Sequence, residues 1–251
     1  MRVEETVPGR AEAPTRRERQ RAQTLAEIKT RAVDQVAAGG AESMSLNAIA
    51  RAMGMSPAAL YRYFASRDAL LAELVADAYG SLADALGQAA DRAAGGAEGS
   101  EGAGGSARVG GAERLVAVAH AYRDWALARP HAYRLIFQTS SGSGLDLEPE
   151  RTVAAAQRSM DVFLSALGGA TGDDRLSPEL AGQVRAWGQR SQTPDLTAGQ
   201  LYLGLLAWTR LHGLISLELG QHLAATGIDP ARLYEAEVQS LARLACPEAS
   251  S

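Results

Sequence analysis

Apolar residues recur along this chain at three- and four-residue spacings, and no stretch alternates as a half-buried strand does, so the pattern predicts helices throughout. Leu25, Ile28, Ala32, Val33 and Val36 form the stripe of a first helix that Gly39-Gly40 ends. Ser45 is a capping residue, and Leu46, Ile49, Ala50 and Met53 follow on one face of a second, short helix. Gly54-Met55-Ser56 is a tight turn, and Ser56-Pro57 is the cap-plus-proline signal of a third helix, expected over 57–64, with Leu60 and Phe64 inward. Ser66 caps a long fourth helix with core face Leu71, Leu74, Val75, Ala78 and Leu82, predicted to run to about Ala94. Further helices are expected at 112–128, 131–138, 149–167, 178–192, 196–222 and 230–245, with loops at Thr139–Gly144 and Thr171–Ser177. In the helix 149–167 the inward set is Val153, Met160, Phe163, Leu164 and Leu167.

The second and third helices carry the most specific signal. Their spacing is that of a helix-turn-helix, and Ala58, Tyr61 and Arg62 share the outward face of the third helix. Small residues at its start let the backbone approach a major groove, while tyrosine hydroxyls and a guanidinium reach phosphates or base edges. The run Ala59-Leu60-Tyr61-Arg62-Tyr63-Phe64-Ala65-Ser66-Arg67, followed by an apolar helix, closely resembles the N-terminal domain of TetR-family transcriptional repressors. The resemblance covers roughly residues 20–80, and Trp208-Thr-Arg-Leu-His212-Gly213 is similar to a W-xxx-H-G signature of one subgroup of that family. It implies an all-α protein: a three-helix DNA-binding domain over 16–67 and a larger helical ligand-binding and dimerisation domain over 68–251. Expected DNA contacts are Arg17, Ser45, Ser56, Pro57, Ala58, Ala59, Tyr61, Arg62, Tyr63 and Arg67, with Tyr61, Tyr63 and Arg67 on phosphates and Pro57, Ala58, Ala59 and Arg62 facing bases.

Charge sharpens this picture. The net −4 hides an asymmetry: residues 1–67 hold 11 Lys and Arg against 7 acidic residues, net +4, and the remainder is net −8. The basic end is the end with the motif, and phosphates repel the acidic body. Residues 1–15 are polar, with Pro8, Gly9 and Pro14, and are expected to be a disordered arm. Arg16, Arg17, Arg19 and Arg21 follow it and are placed to reach phosphates or a minor groove, or to stand as a solvated charged tail. Residues 95–111 are rich in Gly and Ser and are expected to be a flexible loop. Gly102, Gly104 and Ala107 match a dinucleotide fingerprint in letters only, because no strand precedes them.

Enzymatic constellations are not found. His120, His131, His212 and His222 include no i, i+4 pair, and the sequence has neither a nucleophile elbow nor a phosphate loop, so no cofactor or metal is expected. The single Cys246 rules out an internal disulfide and, with no signal peptide or apolar span of membrane length, suits the cytoplasm. Candidate lining residues for an effector pocket are His120, Trp125, Phe137, Met160, Phe163, Trp208 and His212, and the scarcity of charge there suggests a partly apolar small molecule. Leu201, Leu205, Trp208, Leu211, Ile215 and Leu219 stripe the helix 196–222, and Leu203, Leu214 and Leu217 make it apolar nearly all round. In the resembling family the last two helices form a four-helix dimer interface, so helices 196–222 and 230–245 are the expected homodimer contact. The expected function is a ligand-responsive homodimeric repressor on a palindromic operator in double-stranded DNA. A DNA-binding activator or architectural protein without a small ligand is one alternative, favoured by a filled C-terminal core, and a helical interaction protein that has lost DNA binding is the other.

Overall fold

The computed structural model describes residues 15–97, 106–138, 149–167, 176–190 and 195–246. Those residues form ten α-helices, and no strand occurs among them. The helices are α1 Arg16–Gly39, α2 Leu46–Ala52, α3 Pro57–Tyr61, α4 Arg67–Ala97 and α5 Ser106–Ala128. After them come α6 Pro130–Gln138, α7 Pro149–Ser165, α8 Pro178–Arg190, α9 Ala198–Leu219 and α10 Pro230–Ala245. The chain divides into two compact units between Leu70 and Leu71, inside α4.

The first unit is built on caps. Thr15 and Glu18 form a reciprocal capping box that starts α1. The arm expected over 1–15 lies outside the described residues except for Thr15, which is this cap. Ile28, Ala32 and Val36, spaced by four, are the buried face of α1, whereas Val33 is exposed on its flank, contrary to the expected stripe. The strict four-residue spacing keeps one narrow ridge against α2, and a residue one position later turns about 100° away from it. The third helix ends at Tyr61, earlier than expected, although Tyr63 and Phe64 both donate their amides to the Leu60 carbonyl and prolong the turn.

In the second unit α10 packs on α5 and α9, while α8 and α7 also lie against α9. Two glycines of this bundle are close-approach positions. A Cβ on Gly188 would press on Leu201 of α9, and one on Gly204 would press on Leu164 and Leu167 at the end of α7. Arg123 of α5 holds Glu218 of α9 through two bonds of 2.6 and 2.9 Å and lies over the ring of Tyr234 on α10, whose hydroxyl donates to the Ala119 carbonyl at 2.7 Å. This joins three helices around one satisfied cation.

Two expectations for this unit are corrected. Val153 is 60 % exposed, whereas Phe163, Leu164 and Leu167 are buried as expected, Met160 is half-buried, and Ala155 and Ser159 complete the buried face. The stretch 95–111 is helical at both ends, since α4 reaches Ala97 and α5 begins at Ser106. Each glycine costs about 1 kcal/mol in a helix, but extending an existing helix needs no new nucleus, and alanines surround these glycines. Its middle, 98–105, with Gly102 and Gly104, lies outside the described residues, as do the expected loop cores 139–144 and 171–175. No described helix is long and apolar enough to cross a membrane.

Candidate DNA-binding surface and buried cavity

The turn between α2 and α3 is set by Gly54 at φ +64°, a left-handed conformation that a side chain disfavours. The Met55 amide then reaches back to the Ala50 carbonyl at 2.9 Å and closes the end of α2. Ser45 Oγ accepts from the Ala48 amide and Ser56 Oγ from the Ala59 amide, so both serines act first as caps. With Leu60 and Phe64 buried, Pro57, Ala58, Tyr61 and Arg62 are left exposed along one short helix and its cap, with Ala59 half-buried beside them.

A basic cleft adjoins this face. Arg16, Arg17, Gln20 and Arg21 of α1 line it together with Arg62 and Tyr63. The Arg21 guanidinium sits 5.3 Å over the Tyr63 ring, which fixes the start of α1 beside the end of the reading helix. Arg16 and Arg21 were only part of an arginine run in the sequence; the cleft brings both to the site, Arg21 through its cation–π contact. Arg67 is placed differently from the rest. Its Nη2 donates to the Ala41 carbonyl at 2.6 Å, so this side chain ties the start of α4 to the turn before α2.

The second unit holds a cavity of about 90 Å³. Tyr79, Leu82 and Leu86 of α4 form one wall. Ala156, Ser159, Met160 and Phe163 of α7 form another, and Tyr122, Phe137 and Trp208 come from α5, α6 and α9. Four of the residues singled out from sequence meet here: Phe137, Met160, Phe163 and Trp208. Trp125 lies elsewhere, buried, with its indole donating to Ser81 Oγ at 3.1 Å. His120 is half-exposed and paired with Glu235 of α10 at 3.3 Å.

His212 stands behind the cavity wall. Its ring stacks on Trp208 and Tyr133 and meets Phe137 edge-on. Its Nδ1 lies 3.1 Å from the Tyr122 hydroxyl and 3.0 Å from that of Tyr133. The Tyr133 hydroxyl is also 3.2 Å from the His212 carbonyl and 2.7 Å from Ser216 Oγ. One proton assignment fits these four contacts: Tyr122 donates to Nδ1, Tyr133 to the carbonyl, and Ser216 to Tyr133. Burial disfavours the charged imidazole and lowers it from its ordinary value, and it raises Tyr133 to about 12. The tyrosines and Ser216 were missed in the sequence because they pair with His212 across helices, and i, i+4 spacing shows only Trp208.

A helix-turn-helix unit followed by a helical domain that carries a cavity is the architecture of a one-component transcriptional regulator. The comparisons agree. Residues 28–74 match the family described as "Bacterial regulatory proteins, tetR family", and residues 115–241 match "Tetracyclin repressor-like, C-terminal domain". The chain is 34% identical over 212 residues to the HTH-type transcriptional regulators Rv1816 of Mycobacterium tuberculosis and Mb1846 of Mycobacterium bovis, covering 80% of this chain and 83% of each relative. The solved regulatory protein SCO4313 superposes with a TM-score of 0.72 at 38% identity, covering 90% of this chain and 98% of that one. PfmR of Thermus thermophilus, a TetR family transcriptional regulator, shares the fold at a TM-score of 0.50 and 18% identity, with 86% and 97% covered. The chain belongs to the TetR family of DNA-binding transcriptional regulators. Its relatives are regulators of transcription and not enzymes.

Proposed function

We propose that this protein is a homodimeric cytoplasmic repressor that a small, partly apolar effector releases from a palindromic operator. One observation carries the reading: the cavity wall is made in part by Tyr79, Leu82 and Leu86, residues of the same helix that begins at Arg67 beside the helix-turn-helix. An occupant pressing on those side chains biases the position of α4 and with it the spacing of two reading heads. The cavity also argues against the alternative of a regulator with a filled core and no ligand.

On DNA, α3 enters the major groove with Pro57, Ala58, Ala59 and Arg62 toward bases. Tyr61 and the cleft formed by Arg16, Arg17, Arg21 and Tyr63 take the flanking phosphates. The dimer forms through α9 and α10. Their outward side carries Leu206, Gly213 and Leu217 of α9 with Leu233 and Leu244 of α10, bridged by the Arg210–Glu237 pair at 2.9 Å. Leu217 and Leu244 are large apolar residues left exposed within the chain, as a self-complementary interface requires. Fluorescence anisotropy with DNA from upstream of the protein's own gene tests the reading, together with light scattering at micromolar concentration. A monomer in solution, or affinity that is weak and independent of sequence, sinks it.

A further inference from the structure

Resting on the reading of the cavity as an effector site, the geometry points to the class of effector: an uncharged single-ring aromatic compound bearing a hydrogen-bond donor. Three features of the cavity define it.

The first is its aromatic wall. Of the chain's 3 Trp, 7 Tyr and 3 Phe, five line this one space: Tyr79, Tyr122, Phe137, Phe163 and Trp208. Their mutual arrangement is edge-on, with Tyr79 at 84° and Tyr122 at 66° to Phe137, so ring edges and faces are already presented for another ring to join. The second is size. An apolar cavity of about 150 Å³ accepts benzene, and this one is about 90 Å³. Met160, half-buried on an unbranched chain, is the lining residue that can change rotamer to widen it. A single ring is a closer match to that volume than two fused rings.

The third feature is polarity. No lining residue is charged among the described residues, so an ionised ligand would lose its hydration with no counter-charge in that wall. Three hydroxyls border the space, and each has its proton committed inside the protein. Ser159 donates to the Ala156 carbonyl at 2.7 Å, Tyr79 to the Ile136 carbonyl at 3.3 Å, and Tyr122 lies 3.1 Å from His212 Nδ1, its acceptor in the assignment above. What the hydroxyls leave for a ligand is lone pairs, beside the single donor of the Trp208 indole. The complement to acceptors is an O–H or N–H, which a carboxylate or an ether lacks.

Titration calorimetry on the full chain, without DNA, tests this with matched probes. Benzyl alcohol and its isomer anisole differ in having a donor; benzamide and benzoate share a shape and differ in charge. Benzyl alcohol is expected to bind about threefold to tenfold more tightly than anisole, the worth of one neutral hydrogen bond. Benzamide is expected to exceed benzoate by about a hundredfold or more, because the buried carboxylate has no partner. Ala156→Phe fills the space and should abolish binding. Should that variant fold poorly by circular dichroism, the near-isosteric Ser159→Ala serves instead and should narrow the preference for benzyl alcohol over anisole. Preference for benzoate or anisole, tighter binding of 2-naphthol than phenol, or no binding by any probe overturns the proposal. Operator release is measured separately by anisotropy. Probes that bind as expected and leave DNA affinity unchanged sink the effector reading while the ligand class stands.

Discussion

Two glycines of α9 give a paired test in which one substitution, made twice in one helix, should act in opposite directions. Gly→Ala in a helix interior gains about 1 kcal/mol from intrinsic propensity. At Gly213 a Cβ would meet nothing within 4 Å, so Gly213→Ala should keep that gain in the isolated chain. At Gly204 the Cβ would lie 2.9 Å from Leu167 Cδ1 and closer still to Leu164 Cδ2. Apolar carbons settle at roughly 3.5–4.0 Å. Both leucines are fully buried, so neither terminal methyl can retreat without displacing its own neighbours. Overpacking of this kind costs about 1–3 kcal/mol. Gly204→Ala should therefore be neutral to destabilising by about 2 kcal/mol, and the two variants should differ by about 1–3 kcal/mol.

Urea denaturation at low protein concentration measures that difference directly. Equal stability of the two variants would refute the close crossing of α7 on α9. The same pair separates folding from assembly. Gly213 lies on the outward ridge with Leu206, Arg210 and Leu217, where the proposed partner copy packs. Gly213→Ala should stabilise the subunit while weakening the dimer about tenfold, read by sedimentation over a dilution series. A Gly213→Ala protein that dimerises as tightly as the parent would place the crossing elsewhere on the α9–α10 face.

Leu244, 44 % exposed, should give a folded monomer when changed to Arg, whereas Leu241→Arg puts a charge into the chain's own core and should unfold it; light scattering with circular dichroism distinguishes them. Arg17→Ala should lower affinity for all DNA sequences alike and reduce the salt slope by about one, while Arg62→Ala should relax preference at one base position, both seen by anisotropy across salt and operator variants. Arg67→Ala removes the bond to the Ala41 carbonyl and should cost about 1–3 kcal/mol of stability, which denaturation reads and which a purely phosphate-bound arginine would not show. Because burial lowers His212, the unfolded chain takes up a proton first as pH falls. Stability should then be full above about pH 6.5 and decline below it, and His212→Gln should flatten that decline in denaturation at about pH 7.5 and about pH 5.5.

The helix-turn-helix was legible because its signals are local. Ser45, Gly54 and Ser56-Pro57 specify caps and a left-handed turn within a dozen residues, and each does so whatever packs nearby. Helix periodicity was equally readable, but it fixes a face only to within one residue, and Val33 and Val153 show what that leaves open. Both are apolar residues at plausible stripe positions whose exposure depends on which neighbour each helix leans on. The cavity was half legible for the same reason. Large aromatics such as Phe137 and Trp208 stood out by type, while Ser159 and Ala156 are ordinary residues that matter only because α7 lies against α4 there.

Glycines show the limit most clearly. Gly213 drew notice beside Trp208 and His212, yet within the chain nothing presses on it, and Gly204, which nothing in the sequence marked, is where two helices meet. A glycine inside a helix tells that there is room for a neighbour to approach; it does not say which. At Gly204 the neighbours are the side chains of Leu164 and Leu167 of the same chain. At Gly213 the space is free, and its ridge of unburied leucines makes a second copy of the chain the natural occupant.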